Sequence, residues 1–144
     1  MKIFCDTSIF VAGCLKSHPN FQRANFVLKQ AEKFPNDSFC AAHSLAETYA
    51  TLTRIPNQPR YNPVHVSQVI KETILDHFNV VALDATAYQR VIAQCVEDGL
   101  IGGIIYDVLI MHCAATVKAD RIYTFNVRHF QRALPTLASK VIAP

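Results

Sequence analysis

Only eleven acidic residues occur in this chain of 144, so each can be weighed for chemistry. Three of them, Asp6, Glu47 and Asp107, stand where a carboxylate could act. Asp6 closes a short apolar run and is followed by Thr7, Ser8 and a second apolar run, which reads as a strand, a sharp turn and a helix start. Glu47 lies in Ser44-Leu45-Ala46-Glu47, the pattern of a capping box opening a helix. Asp107 lies in Tyr106-Asp107-Val108-Leu109-Ile110, in the first turn of another helix. If the strands are parallel, all three fall at the edge where open α/β sheets bind their ligands. Carboxylates gathered there repel one another and raise each other's pKa, and a hard divalent cation, Mg²⁺ or Mn²⁺, would neutralise them. Each acid also has a plainer explanation. Asp6 and its hydroxyl neighbours can cap the first helix, Glu47 completes the capping box, and Asp107 complements a helix dipole. Taken singly, each acid is better explained that way, and spacing alone does not decide for chemistry. The other eight carry none: Glu32, Asp37, Glu72 and Asp76 sit in loops or on solvated faces, Asp84 caps a helix, Asp120 precedes a strand, and Glu97 and Asp98 lead into Gly99.

The elements that must position these acids alternate. Strands are expected at Lys2–Cys5, near 38–42, at 80–83, at 121–125 and at 140–143. Helices are expected over about 20–34, where Phe21, Ala24, Leu28 and Ala31 recur, from Ser44 to about Arg54, from Pro63 to about Phe78, and after Asp84. In that last helix Tyr88, Val91, Ile92 and Cys95 are expected inward, with Gly99 at its C-cap. Two more are expected from about Ile105 and over 127–133. Between Ile55 and Pro63, prolines 56, 59 and 63 require an extended loop. The βα rhythm over residues 1–144 predicts one α/β domain, a mainly parallel sheet of four or five strands covered on both faces.

Composition narrows the classes further. At 51% hydrophobic and 17% charged, the chain can fill a core. A formal charge of +3 permits a phosphate-bearing partner without the strong basic footprint of a dedicated DNA binder. Five widely spaced cysteines, odd in number and without a C-x-x-C, argue for reduced thiols in a cytoplasmic protein rather than a disulfide scaffold or zinc site. No apolar run approaches the ~20 residues of a membrane span.

Four short blocks carry a family resemblance: DTSIF at positions 6–10, SLAETYATL at 44–52, YDVLIMHCAA at 106–115 and IYTFNVRHF at 122–130. In order and in separation they resemble the signature blocks of the PIN-domain family, many of whose members are the ribonuclease toxins of VapBC toxin–antitoxin systems. The resemblance covers essentially the whole chain. It implies a three-layer α/β/α sandwich whose acidic pocket holds Mg²⁺ or Mn²⁺ and cleaves single-stranded RNA. Asp6, Glu47 and Asp107 would be the pocket carboxylates and metal ligands. The fourth block often bears another Asp; here Asn126 stands there and brings no charge. Thr7, Ser8 and Thr124 are candidate accessory hydroxyls, though capping and strand-end roles explain them well. Arg54, Arg60 and Arg128 are candidates for tracking an RNA backbone, with ordinary solvated surface an equal reading. Tyr106, Tyr61 and Tyr123 could stack on bases, but packing is the better explanation of each. The resemblance further implies a homodimer and a small antitoxin that blocks the pocket. Competing readings are a PIN-like module that binds RNA or protein but cleaves weakly, an RNA-processing nuclease that is not a toxin, and a receiver-like doubly wound domain. The last needs paired acids near the first strand, where only Asp6 is found.

Overall fold

The computed structural model describes residues 1–56 and 60–144. Of the three prolines expected to keep the 55–63 stretch extended, Pro59 lies outside the described residues. In chain order the elements are β1 (Ile3–Cys5), α1 (Thr7–Cys14), α2 (Phe21–Lys33), β2 (Ser38–Ala41), α3 (Ala42–Arg54), α4 (Pro63–Ile70), β3 (Asn79–Val81), α5 (Ala85–Glu97), α6 (Ile104–Thr116), β4 (Arg121–Tyr123), α7 (Val127–Ala133) and β5 (Val141–Ile142). The five strands form one sheet in the order β3-β2-β1-β4-β5, and every neighbouring pair is parallel.

The strands are short and almost wholly apolar because both faces of the sheet are covered. Side chains alternate across β1: Ile3 and Cys5 join the core under α1, α2 and α4, while Phe4 joins the core under α5, α6 and α7. Ile122 and Tyr123 divide between the two cores in the same way. The result is the three-layer α/β/α architecture expected from the alternating pattern. On the first face Phe10 meets Phe78 edge-on at 5.1 Å.

Connectivity fixes where a ligand can sit. From β1 the chain steps outward to β2 and β3, then crosses back to lay β4 on the opposite side of β1. The order therefore reverses between β1 and β4, and the crevice beyond their carboxyl ends is the switch point where open sheets accept ligands. Asp6 is the residue directly after β1, and Thr124 the residue directly after β4.

Local signals held at several ends. The Asp84 carboxylate accepts from Ala87 N at 2.8 Å and caps α5, and Gly99 follows that helix with φ +61°. Asn62 caps α4, with Pro63 in its first turn.

Two expectations fail. The capping box does not form: β2 passes into α3 at Ala41 and Ala42 without a turn, so Ser44 is the third helical residue and Glu47 lies in the second turn. Ala42 is a strong helix former and needs no turn residue before it. In α5 the inward stripe is Ala87, Val91 and Cys95, and Tyr88 and Ile92 are exposed.

The buried face of α3 holds Ser44, Thr48 and Leu52, and the hydroxyls of Ser44 and Thr48 have no hydrogen-bond partner among the described residues. A buried hydroxyl left unmet costs about 1–3 kcal/mol, whereas an apolar group of the same shape costs nothing comparable. Thr48→Val should therefore leave stability unchanged or raise it by about 1 kcal/mol in urea unfolding. A clear loss of stability would show that the hydroxyl finds a partner.

Candidate functional site

Asp6 is 3% exposed, an unusual place for a carboxylate. Three donors meet it there, all on Oδ2: Ser8 Oγ at 2.7 Å, Thr124 Oγ1 at 2.8 Å and Ser8 N at 3.2 Å. The last makes Asp6 the N-cap of α1 and sets its charge at the positive end of that helix. The two hydroxyls are themselves fixed. Ser8 Oγ accepts from Phe125 N at 3.0 Å, and Thr124 Oγ1 accepts from Asn126 N at 3.0 Å. The tips of β1 and β4 are thus bound through one carboxylate. Among the described residues all three donors use Oδ2, so Oδ1 keeps its acceptor capacity.

Glu47 reaches the same place from α3. Its Oε2 accepts from Thr7 Oγ1 at 2.7 Å and lies 3.7 Å from His43 Nε2, one helical turn back. Asp107 arrives from the first turn of α6, with His129 Nδ1 of α7 3.9 Å from its Oδ2. Together with Val11, His18, Asn20, Thr51, Phe125 and Asn126, the three acids and Thr7 and Ser8 line one open cleft of about 380 Å³.

The acids feel one another. Burial, then the charges of Asp6 and Glu47, push the Asp107 carboxyl up to about 6, while His129 draws it down. Burial also raises the Asp6 carboxyl against the pull of its Ser8 and Thr124 hydrogen bonds, and the Glu47 charge adds to the rise. This is the electrostatics of a site short of positive charge. Among the described residues, no three His, Cys, Asp or Glu side chains close tightly enough to form a ready ligand cage. The donor set nonetheless suits a hard divalent cation that retains several waters: carboxylate oxygens from three elements, one fixed by hydrogen bonds, on a cleft open to water.

The sequence-derived candidates divide into groups. Asp6, Glu47, Asp107, Thr7, Ser8 and Asn126 line the cleft, and Thr124 is buried beneath it. Arg128 lines a shallower hollow alongside, with Phe125, Asn126, Val127 and His129. Arg54, in the last turn of α3, and Arg60 are exposed and do not line the cleft. Reasoning from sequence passed over His18, Asn20 and Thr51 as cleft-lining residues, and His43 and His129 as partners of the acids. His43 stands four residues before Glu47, a helical-pair spacing that does signal contact. His18 and Asn20 come from the α1–α2 loop and carry no comparable signal.

The PIN-domain family model matches residues 3–133. The chain belongs to the PIN-domain family. Two curated relatives are ribonucleases of Mycobacterium tuberculosis. Ribonuclease VapC40 is 32% identical over 123 residues, covering 85% of each chain. Ribonuclease VapC27 is 28% identical over 115 residues, covering 80% of this chain and 78% of its own. Among solved structures, that of M. tuberculosis VapC20, described as a sarcin-ricin loop cleaving toxin, superposes with a TM-score of 0.69 over 87% of this chain and 90% of that one. At 18% identity this likeness speaks for a shared PIN fold. No helix among the described residues is long and apolar enough to cross a membrane.

The raised Asp107 carboxyl has a stability consequence in ion-free protein. Its pKa lies above the unfolded value, so the folded state holds the proton more tightly between about pH 4 and 6. The contribution of this group to stability therefore falls as pH rises through that window and is least above about 6. In EDTA, Asp107→Asn should melt higher than wild type at pH 7.5, and the gap should shrink toward pH 4. A gap that does not change with pH would mean that neither burial nor the neighbouring acids raise the Asp107 carboxyl.

Proposed function

We propose that this chain is a metal-dependent endoribonuclease that hydrolyses phosphodiester bonds of single-stranded RNA and serves as the toxin of a type II toxin–antitoxin pair. The observation that carries the reading is the convergence of Asp6, Glu47 and Asp107 from three separate elements on one cleft at the sheet's switch point. Curated relatives that are ribonucleases, one of them 32% identical, support the substrate class.

In this reading Asp6 and Asp107 hold Mg²⁺ or Mn²⁺, and Glu47 completes the shell directly or through water. The bound cation would supply an activated water and charge stabilisation at the phosphoryl oxygens. The chain's own residues do the positioning. Ser8 and Thr124 hold Asp6 Oδ2 and so fix the plane of its carboxylate. Thr7 Oγ1 aims Glu47. Asn126 lines the cleft and can orient a water through its side-chain amide without adding negative charge. Arg128, beside the cleft, would meet a backbone phosphate, with Arg54 and Arg60 outside the cleft as weaker candidates. The mild positive charge of the chain suits an anionic substrate. The partners proposed with this reading are a cognate antitoxin that blocks the cleft and a second copy of the chain, working in the cytoplasm.

The deciding experiment incubates purified protein, freed of any inhibitor, with mixed cellular RNA in Mn²⁺ or in EDTA and maps the cut ends. Cleavage should require the cation. Asp6→Asn should abolish cleavage and leave RNA binding nearly unchanged. Binding without any metal-dependent cutting would instead support a catalytically weak binding module, a reading to which the uncharged Asn126 lends weight. A toxin should also arrest growth when expressed alone, which an RNA-processing nuclease need not do.

Thr124→Val tests the support beneath Asp6. Loss of such an outer partner typically lowers metal affinity or activity by about 10- to 100-fold. The variant should need correspondingly more Mn²⁺ for half-maximal cleavage, and an unchanged requirement would remove Thr124 from the site.

A further inference from the structure

Beside the cleft, two aromatic rings lie flat on each other. The rings of His43 and Tyr106 are 4.9 Å apart and 6° from parallel. Both are tied to the acids: His43 Nε2 lies 3.7 Å from Glu47 Oε2, and Tyr106 immediately precedes Asp107 in the first turn of α6. Yet Tyr106 is 50% exposed. A tyrosine serving only to pack α3 against α6 would be expected to bury its ring. Here His43 stacks on one face and half of the residue remains exposed, so the tyrosine is accessible next to two of the acids, although neither ring lines the cleft itself.

We propose that the Tyr106–His43 stack is a platform for a nucleobase of the RNA, holding one base so that the neighbouring phosphate lies over the carboxylates. This deepens the ribonuclease reading and rests on it for the identity of the strand. Every base has a π-face, so a ring platform binds single strands without demanding a sequence. The platform is preformed, because His43 already holds the tyrosine ring in one orientation, and little side-chain freedom is lost when a base arrives. A duplex, whose bases are already stacked, gains nothing from such a surface. The platform thus favours unpaired nucleotides. Tyr106 and His43 touch no scissile atom and are binding and positioning residues.

The test is a binding cycle in EDTA, so that no hydrolysis intervenes. Wild type, Tyr106→Phe and Tyr106→Ala are titrated with a labelled single-stranded RNA decamer and with copies carrying one abasic nucleotide at each position in turn. Loss of one stacked base corresponds to about 5- to 150-fold in affinity. Wild type and Tyr106→Phe should bind the intact strand alike, and Tyr106→Ala should bind it about 5- to 150-fold more weakly. At one abasic position wild type should lose a similar factor while Tyr106→Ala loses none. A role limited to holding α3 against α6 would lower the melting temperature of Tyr106→Ala without erasing that position-specific penalty. The platform is overturned if Tyr106→Ala binds as wild type does, or if its abasic penalties match wild type at every position. Absence of metal-dependent cleavage in wild type would overturn the nuclease reading instead, and the binding cycle would still report on the platform.

Discussion

A carboxylate buried between two strand ends sets the terms for the rest of this molecule. Asp6 is almost wholly removed from water, and burying a charge is unfavourable unless partners replace the lost hydration. The replacement is local and specific: two hydroxyls, one backbone amide and the start of α1. Hydrogen bonds to a charged group contribute about 1.5–3 kcal/mol each, yet burial still outweighs them and the Asp6 carboxyl remains raised. The protein therefore keeps Asp6 in place without making its charge comfortable. That is the condition in which a carboxylate gains most from a cation. The same bonds join β1 to β4, so any slip in their pairing would pull Thr124 away from Asp6. The observed register, Cys5 opposite Tyr123, is the one that lets the next residues meet. A slip of one residue would also turn Phe4 and Ile122 out of their core, so packing and chemistry enforce one alignment.

The helices that deliver the other two acids are held by different means. α6 buries Val108, Leu109, Ile110, Met111, Cys113 and Ala114, so almost its whole circumference is inside the molecule. It has little freedom to tilt, and Asp107 in its first turn is fixed by packing rather than by hydrogen bonds. α3 buries a single stripe, and Glu47 stands on its wetter side. Thr7 supplies what packing does not, tying Glu47 to the start of α1. One acid is fixed by hydrogen bonds, one by burial of its helix and one by a single hydroxyl. That order of decreasing restraint matches the roles assigned to Asp6, Asp107 and Glu47.

Much of this was legible before the fold was seen, and the failures have physical reasons. α7 occupies the span its pattern predicts, and Asp84 and Gly99 begin and end α5 as their chemistry requires. These are local effects, settled within one turn of chain. α5 was misjudged because it carries two apolar stripes side by side: Ala87, Val91 and Cys95 on one, Tyr88, Ile92 and Val96 on the other. Helical periodicity allows either to face the sheet, and only the sheet chooses. The Ser44–Glu47 pattern satisfied the rule for a capping box, yet the strand ran straight into the helix and Glu47 was taken by Thr7, forty residues distant. The acids themselves could be listed from sequence. Their meeting could not be derived from it, because that depends on β4 lying beside β1, a long-range order that no local pattern encodes. Recognition of the four short blocks stood in for that information.

The uncharged Asn126 bears on how much positive charge the cleft can hold. With Asp6, Glu47 and Asp107 ionised, the site carries three negative charges, and one divalent cation leaves a single negative charge over. Two imidazoles lie beside the acids: His129, 3.9 Å from Asp107, and His43, 3.7 Å from Glu47. A fourth carboxylate at position 126 would add a further negative charge to the same cleft. Asn126 instead keeps the polar lining while sparing the site another repulsion, of the kind that adds to burial in lifting Asp107 to about 6. In the metal-dependent reading proposed above, a site with three acids rather than four would call for less positive charge. Under the same proposal an amide at position 126 is tolerable, because Asp6, Glu47 and Asp107 would still offer carboxylate oxygens to an ion.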